Sequence, residues 1–302
     1  MRWKDSKLLD MSEVIMKSVY YQEKEGNKVR CGICPHRCLI KDGNVGICKV
    51  RMNKGGELFA INYGKIASMS LDPIEKKPLR NFYPGSSILS VGSIGCNFRC
   101  DFCQNWSISQ SGGESLEIPE IPSEKLVKRA LELISDGNIG IAFTYNEPAI
   151  WYEYVLDTAK KAKEAGLKVV LVSNGYFNDA PLLELLPYVD AMNIDLKAFN
   201  ESFYKVICGG NLDDVKNTII KASQFAHIEI STLVIPGLND DPKDISEMAS
   251  WLSKISPDIS LHFSRYHPSY KRTEPPQTSL KILERCQKEA QKYLKNVYLG
   301  NV

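Results

Sequence analysis

The chain has 302 residues, of which 43% are hydrophobic and 25% charged, and 38 Lys and Arg against 36 Asp and Glu leave a net charge of +2. This length can bury a full core, and the balanced charge argues against nucleic-acid binding, which usually needs a basic face. The sequence contains no run of about 20 apolar residues, which is the length needed to span a bilayer. Residues 1–10 lack the apolar core of a secretory signal. We therefore expect a cytoplasmic protein without nucleic-acid or membrane partners.

Residues 1–85 are predicted to form a small Cys-rich N-terminal domain that ends in a Pro-punctuated connector at 72–86. In a reducing compartment, clustered cysteines indicate metal binding rather than disulfides. Four thiolates satisfy either a tetrahedral zinc ion or a fully ligated iron–sulfur cluster, and the sequence leaves both open. We interpret His36 as a turn residue. The four cysteines have the spacing C-x2-C-x3-C-x9-C and are Cys31, Cys34, Cys38 and Cys48.

From residue 86 onwards, short apolar runs alternate with amphipathic segments. Helices are predicted at 123–137, 150–166 and 279–296, the second with Gly166 as its C-terminal cap. Strict alternation implies parallel strands with right-handed crossovers. The predicted fold class is α/β, a partial (β/α)6 barrel of the TIM type over residues 86–302. Its six predicted strands are residues 88–93, 139–144, 167–173, 189–195, 227–234 and 259–266.

Polar segments follow all six apolar runs. In a parallel barrel these positions lie at one face, which is where active sites are built. The segments are, in chain order, GCNFRCDFC, TYNEP, SNG, DLK, IPG and RYHP. The sequence therefore predicts a polar site at the carboxyl ends of the strands.

The first of these segments carries Cys96, Cys100 and Cys103 in the spacing C-x3-C-x2-C. Thiolates are the usual ligands of iron–sulfur clusters, and three of them leave one iron of a cubane without a protein ligand. A zinc site would normally take four nitrogen or sulfur ligands. Phe98, Phe102 and Trp106 are expected to shield the cluster from water. Two further cysteines lie outside both sets, and we interpret Cys208 and Cys286 as buried packing residues, with Cys208 also a weaker candidate for the substrate site.

The three-cysteine motif resembles the signature of radical S-adenosylmethionine (SAM) enzymes. Within that superfamily the chain is similar to the activating enzymes of glycyl-radical proteins. It is more similar still to the AmmeMemoRadiSam-system radical SAM proteins, which are described as pyruvate formate-lyase-activating-enzyme-like. This resemblance covers essentially the whole chain through CGICPHRC, GNVGICKVR, DPIEKKPL, GCNFRCDFCQNW, TYNEP, DLKAF, CGG and LVIPGLND.

The resemblance implies a [4Fe–4S] cluster that reductively cleaves SAM to a 5′-deoxyadenosyl radical, which abstracts hydrogen from a substrate. It does not identify that substrate, for which a protein is one candidate. It also implies a low-potential electron donor such as ferredoxin or flavodoxin, and it suggests a functional link to Memo-type and AMMECR-type proteins. The alternative is a non-catalytic iron–sulfur protein that carries electrons or scaffolds clusters.

The resemblance further implies a set of SAM-binding residues. Glu147 and its neighbours would hold the methionine amino group, Lys197 would pair with the carboxylate, and His267 would contact the nucleoside. Without the cysteine loop, Asp195 could equally cap a helix, Lys197 could be a solvated charge and His267 could order a turn. The full set is Phe102, Asn105, Tyr145, Asn146, Glu147, Ser173, Asn174, Asp195, Lys197, Ile235 and His267.

Overall fold

Six short strands in the N-terminal part form two small antiparallel sheets in the computed structural model, which describes residues 16–110, 112 and 118–302. In chain order the strands are β1 (Met16–Lys17), β2 (Tyr21–Lys24), β3 (Lys28–Cys31), β4 (Leu39–Ile40), β5 (Arg51–Lys54) and β6 (Glu57–Ala60). One sheet has the order β1-β6-β5 and the other β2-β3-β4. All four cysteines of the N-terminal set lie in or beside these strands.

The centre of the fold is an eight-stranded sheet. Its strands are β7 (Ser68–Pro73), β8 (Ser87–Gly92), β9 (Asn138–Phe143), β10 (Lys168–Ser173), β11 (Ala191–Asp195), β12 (His227–Val234), β13 (Ser260–Arg265) and β14 (Asn296–Gly300). Strands β8 to β14 are parallel and adjacent in chain order, whereas β7 pairs antiparallel with β8. The α/β fold class and all six predicted strands are confirmed, in a sheet consistent with a partial barrel.

The sheet has one strand more than predicted at each edge, β7 on one side and β14 on the other. β7 lies on the N-terminal side of the boundary predicted between residues 85 and 86, yet it joins the main sheet. The division of the chain into two folding units stays a prediction. β14 begins at residue 296, where the predicted third helix was expected to end.

The helices that connect the strands are α1 (Trp106–Ser109), α2 (Ser123–Glu132), α3 (Tyr152–Glu164), α4 (Asp179–Leu185), α5 (Glu201–Phe203), α6 (Leu212–Ala222), α7 (Pro242–Ile255) and α8 (Leu280–Ala290). Gly166 has a φ of +76° just after α3, and the amide of Leu167 donates to the carbonyl of Ala162 at 2.9 Å. The predicted cap is therefore confirmed. None of the helices in the described ranges is long and apolar enough to cross a membrane.

The connector after β7 packs against the sheet. Ile74, Leu79 and Phe82 form a separate apolar cluster with side chains from β8 to β11. Two of those sheet residues are Ala142 and Ala191, whose small side chains leave room for the connector. The connector therefore covers one face of the sheet, and the backbone amides at its polar end need buried partners.

Glu229 on β12 supplies those partners. Its fully buried carboxylate accepts hydrogen bonds from the amides of Arg80 and Asn81, at 3.0 and 2.7 Å. His227 and His262 contact the same carboxylate through Nε2, at 3.0 and 2.6 Å. Burial alone would raise the pKa of Glu229, but these hydrogen bonds lower it to about 2.

We expect Glu229→Gln to destabilise the protein by about 3 kcal/mol at neutral pH, because each unit of pKa shift corresponds to about 1.4 kcal/mol. A carboxylate with a depressed pKa stabilises the fold fully above its ordinary pKa of 4.5 and loses that contribution as the pH falls towards 2. Urea unfolding between pH 3 and pH 7 measures the difference. The difference in unfolding free energy between wild type and Glu229→Gln should become smaller as the pH falls. The exposed Glu284→Gln should show no difference from wild type at any pH. A difference for Glu229→Gln that does not change with pH would contradict this account.

Candidate active site

A cavity of about 330 Å³ lies at the carboxyl ends of the parallel strands. The predicted site residues that line it are Cys96, Cys100, Phe102, Cys103, Asn105, Tyr145, Asn146, Glu147, Ser173, Asn174, Asp195 and Lys197. Two others do not line it: Ile235 is fully buried, and His267 is exposed to solvent. The cavity thus brings together polar segments from four successive strand ends.

The three-cysteine loop turns sharply at Gly95, which has a φ of +81°. A Cβ atom on this residue would lie 2.4 Å from the carbonyl oxygen of Cys48. Phe98 and Phe102 are buried and line the cavity, as expected for residues that shield a cluster. Trp106 does not share this role, because its ring is 46% exposed and stacks on Tyr270 at 5.3 Å.

Two asparagine side chains from neighbouring strand ends hold this loop. Asn146 accepts a hydrogen bond from the amide of Ser93 at 3.0 Å and donates to the carbonyls of Ile94 and Gly95. Asn174 donates to Oδ1 of Asn97 at 2.7 Å. Their side-chain amides are therefore engaged with the loop itself, which fixes where the cysteines point.

The outer side of the loop is held by a long-range ion pair. Arg272 donates from Nε and Nη2 to the two carboxylate oxygens of Asp101, at 2.9 and 2.6 Å. The amides of Lys271 and Arg272 both donate to the carbonyl of Asp101 at 3.0 Å. Because bidentate pairs fix orientation as well as distance, the segment after β13 clamps the cysteine loop. No motif in the sequence indicates a contact between residues so far apart.

Glu147 is a buried carboxylic acid in the wall of the cavity. One of its carboxylate oxygens accepts from Ser173 Oγ at 2.8 Å and from the amide of Ala149 at 2.9 Å, and the other accepts from the amide of Asn174 at 2.8 Å. Burial nevertheless raises its pKa to about 7. Its protonation therefore changes near neutral pH, where a bound cation or donor would favour the charged form.

Asp195 and Lys197 form an ion pair of 2.8 Å at the end of β11. Burial alone would lower the pKa of Lys197, but the neighbouring Asp195 carboxylate raises it well above its ordinary value. The amide of Lys197 donates to the hydroxyl of Tyr204 at 2.9 Å, which fixes the backbone there. A positive charge is thus maintained at the cavity wall.

The connector contributes a lysine that the sequence reasoning missed. Lys77 is 3% exposed and lines the cavity, and its Nζ lies 2.8 Å from Asp72. The hydroxyl of Tyr145 donates to the same carboxylate at 2.7 Å. The motif DPIEKKPL contains Asp72 and Lys77 and could have indicated that the connector contributes to the site. The other lining residues without a predicted role include Asn193, Ser231, Leu233, Ser264 and Asn301.

The two isolated cysteines are both buried. Cys208 is fully buried, and its carbonyl accepts from the amide of Arg99 at 2.8 Å, so it supports the cysteine loop without lining the cavity. A Cβ on the nearby Gly210 would lie 2.4 Å from the ring of Phe98. Cys286 packs on the buried face of α8, as predicted.

The N-terminal cysteines surround a second, much smaller cavity. Cys31, Cys34, Cys38 and Cys48 all line it. His36 lies beside them, but its Nε2 contacts the carbonyl of Asn97 at 2.8 Å. Burial raises the pKa of Cys31 to about 12 and that of Cys48 above its ordinary value. Such thiols stay protonated and unreactive unless a metal displaces the proton.

A family model of the radical SAM superfamily matches residues 91–252, more than half of the chain. The chain belongs to the radical SAM superfamily. It is an enzyme of the radical SAM oxidoreductase type. This excludes the alternative of a non-catalytic iron–sulfur protein. The family implies a [4Fe–4S] cluster and SAM as cofactors.

Two relatives extend the comparison beyond the family model. An uncharacterised protein of Methanocaldococcus jannaschii is 41% identical over 288 residues, covering 94% of this chain and 85% of the relative. A pyruvate formate-lyase-activating enzyme of Clostridium pasteurianum is 26% identical over 184 residues, covering 57% of this chain and 72% of the relative. The chain therefore shares activating-enzyme-like features.

A solved structure supports the fold. The crystal structure of a radical SAM methyltransferase from Sphaerobacter thermophilus superposes with a TM-score of 0.52 at 15% identity, covering 72% of this chain and 67% of that one. At this identity the likeness concerns the α/β architecture alone.

Gly95→Ala should destabilise the protein by about 2 kcal/mol more than Gly85→Ala, because the new methyl group must displace the Cys48 backbone. Both glycines have a φ of +81°, and nothing lies within 4 Å of a Cβ on Gly85, so the pair isolates the clash from the backbone strain. Denaturant unfolding gives the two stabilities. Equal losses of stability in the two variants would show that the loop accommodates the new methyl group at this contact without an energetic cost.

Proposed function

We propose that the enzyme holds a [4Fe–4S] cluster with Cys96, Cys100 and Cys103 and uses it to cleave SAM reductively. When bound, the cluster supplies the electron that breaks a carbon–sulfur bond of SAM, which gives methionine and a 5′-deoxyadenosyl radical able to abstract hydrogen. The observation that carries the proposal is the opening of all three cysteines onto one cavity that is also lined by four polar strand ends. The chain's own residues bind, orient and shield these cofactors.

The three-cysteine loop fits this cofactor. Its three cysteines line the same cavity, and the neighbouring Phe98 and Phe102 are buried. Thiolates are the usual protein ligands of iron–sulfur clusters. The cavity of about 330 Å³ has the size of a small-molecule site.

The SAM contacts are assigned by position. Glu147 and the backbone of 145–146 would hold the methionine amino group, while the Asn146 side chain acts by fixing the loop. Lys197, kept positive by Asp195, would pair with the SAM carboxylate. Phe102, Asn105, Ser173 and Asn174 would orient the remaining cofactor atoms, and Ile235 and His267 would need to approach the nucleoside from outside the cavity lining.

The substrate proposed is a protein, because similar activating enzymes take their names from the enzymes that they activate. The 26%-identical relative is named for pyruvate formate-lyase and another, at 26% over 125 residues, for 4-hydroxyphenylacetate decarboxylase. A low-potential donor of the ferredoxin or flavodoxin class would supply electrons in the cytoplasm. Membership of the AmmeMemoRadiSam group and a link to Memo-type and AMMECR-type proteins rest on the sequence motifs.

A second thiolate-bound metal centre is also part of the proposal. Cys31, Cys34, Cys38 and Cys48 line one apolar cavity and would supply four thiolates without His36. Four thiolates close the coordination of zinc or of a cluster. Such a centre would stabilise the small sheets of residues 16–60.

Cys100→Ala should abolish SAM cleavage, because two thiolates cannot hold the cubane with its open iron. Anaerobically reconstituted protein, reduced with dithionite, is assayed for 5′-deoxyadenosine. Cys286→Ala removes a buried cysteine outside both sets and should retain cleavage. Full cleavage by Cys100→Ala would contradict the assignment.

The affinity for SAM should rise as the pH rises through about 7, because deprotonated Glu147 is the form that accepts a hydrogen bond from the amino group. The raised pKa also means that stability from this group is complete below its ordinary value of 4.5 and is lost as the pH passes 7. Glu147→Gln should bind SAM about tenfold more weakly and without the pH dependence.

Equilibrium binding of SAM between pH 6 and pH 8 measures this effect. The exposed Glu164→Gln is the matched control and should keep the wild-type profile. A Glu147→Gln profile that still rises with pH would assign the titration to another group.

A further inference from the structure

The deep end of the active-site cavity contains two buried polar atoms on neighbouring strands, β11 and β12. Asn193 is fully buried and Ser231 is 6% exposed, and both line the cavity. Within the described residues, neither Oδ1 of Asn193 nor Oγ of Ser231 has a hydrogen-bond partner. Because a buried polar atom without a partner costs free energy, these two atoms indicate a ligand group that supplies the hydrogen bonds.

The connector determines how the Asn193 amide is oriented. Its Nδ2 lies 2.9 Å from the carbonyl oxygen of Pro78. A carbonyl can only accept, so the nitrogen of the side-chain amide must face Pro78, and the oxygen is the atom left for a ligand. Asn193 therefore offers an acceptor, which requires an N–H or O–H group on the ligand. The hydroxyl of Ser231 can donate or accept.

Lys77 adds a donor to this part of the cavity without adding net charge. Its Nζ lies 2.8 Å from Asp72 and 4.7 Å from the centre of the Tyr145 ring. An ammonium group has three N–H donors, so one remains for a ligand after these two contacts. Asp72 balances the lysine charge at short range, and the side chain of the adjacent Lys76 is 67% exposed, so solvent screens its charge. The deep end of the cavity therefore favours a neutral ligand group.

These groups lie deeper than the residues assigned to SAM. Asn193 and Asp195 are two residues apart on β11, so their side chains share a face of the sheet, with Asn193 about 6.6 Å farther from the carboxyl end. Glu147 and Lys197 follow the ends of their strands. SAM held at the strand ends, as proposed above, leaves the deeper groups to the substrate.

A series of neutral polar side chains leads from the deep end to the edge of the sheet. In the strand register, Ser231 lies two residues nearer the carboxyl ends than Asn193, and Ser264 lies two residues nearer than Ser231. Asn301 follows β14, which is an edge strand. All four residues line the cavity, and their exposure increases in this order from the fully buried Asn193 to the exposed Asn301.

The spacing and neutrality of this series match the main chain of an extended protein segment. Each step combines about 4.8 Å between strands with about 6.6 Å along them, giving about 8 Å, which is the reach of two to three extended residues. A main-chain amide is neutral and presents an N–H donor beside a C=O acceptor. These are the two groups that the acceptor of Asn193 and the donor of Lys77 require, whereas a carboxylate or an ammonium group would satisfy only one of them.

We propose that Lys77, Asn193 and Ser231 form the substrate subsite and bind the main-chain amides of an extended protein segment, which enters along Ser264 and Asn301. Lys77 donates to the carbonyl of one amide, whose N–H donates to Oδ1 of Asn193, and the Ser231 hydroxyl bonds to the neighbouring amide. That the ligand is the substrate rests on the proposed function, whereas the binding of an amide by these side chains does not.

Binding of a minimal amide tests the subsite. The probe is N-acetylglycine N-methylamide, which has two main-chain amides and no side chain. Saturation-transfer NMR measures its affinity for the full-length, anaerobically reconstituted protein before reduction, and we expect saturable binding in the millimolar range. Methyl acetoxyacetate, in which oxygen replaces both N–H groups, should bind at least about tenfold more weakly because it cannot donate to Asn193.

Three results of this titration would overturn the proposal. The first is the lack of saturable amide binding to wild-type protein below about 100 mM. The second is equal affinity for the amide and the ester, which would show that no N–H group is recognised. The third is tighter binding of acetate or methylammonium than of the amide, which would show that the subsite selects a charged group.

Ser231→Ala tests where the amide binds. The variant removes a hydroxyl that has no partner among the described residues, so it should keep the fold and weaken amide binding about fivefold. Thr218→Val is the matched control, because it removes another such buried hydroxyl, on α6 and outside the cavity, and it should bind the amide like wild type. Unchanged affinity in Ser231→Ala, or equal losses in both variants, would overturn the assignment.

The same titration with saturating SAM separates the subsite from the proposed function. The amide should bind within about twofold of its affinity without SAM, because the two ligands occupy different depths of the cavity. Displacement of the amide by SAM would overturn the proposal, since the deep groups would then belong to the cofactor site. Protein that binds the amide but fails to cleave SAM with dithionite would count against the proposed function alone.

Discussion

The shape of one short loop, residues 93–97, governs the rest of the active site. Its backbone groups are bound by Asn146 and its Asn97 side chain by Asn174, so the ends of β9 and β10 determine where the first cysteine points. Asn174 is buried and both donates and accepts, and such an amide is costly to replace, since each lost partner leaves an unsatisfied polar group. The loop is thereby fixed before any cofactor binds, which is the preorganisation that an orientation-dependent reaction needs.

Much of the fold could be predicted from the sequence, because six strands are buried apolar runs bounded by turn signals. The two strands of the main sheet that were missed have weaker patterns. β7 alternates irregularly and is largely exposed at an edge, and β14 has only five residues and is separated from α8 by five residues. The three cysteines and most polar strand ends were also predictable, since parallel topology alone places them together. The spacing of the three cysteines indicates an iron–sulfur site even without knowledge of the tertiary structure.

What could not be predicted depends on long-range contacts. Arg272 reaches Asp101 across 171 positions, and Lys77 reaches the cavity because the connector folds back on the sheet. Asn146 was expected to contact the cofactor, but its amide is committed to the loop. The position of such a residue in a motif predicts correctly that it lies at the active site. Its hydrogen-bond partners, however, depend on the packing of the folded protein.

The connector that covers one face of the sheet has a consequence for any macromolecular substrate. With that face filled by Ile74, Leu79 and Phe82, a reacting group must approach from the carboxyl-end side, and a cavity of about 330 Å³ admits a side chain or a short extended stretch rather than a folded domain. A target residue buried in its own protein must first emerge by local unfolding. Its modification rate would then scale with how often the target opens, so ligands that rigidify the target would slow the reaction.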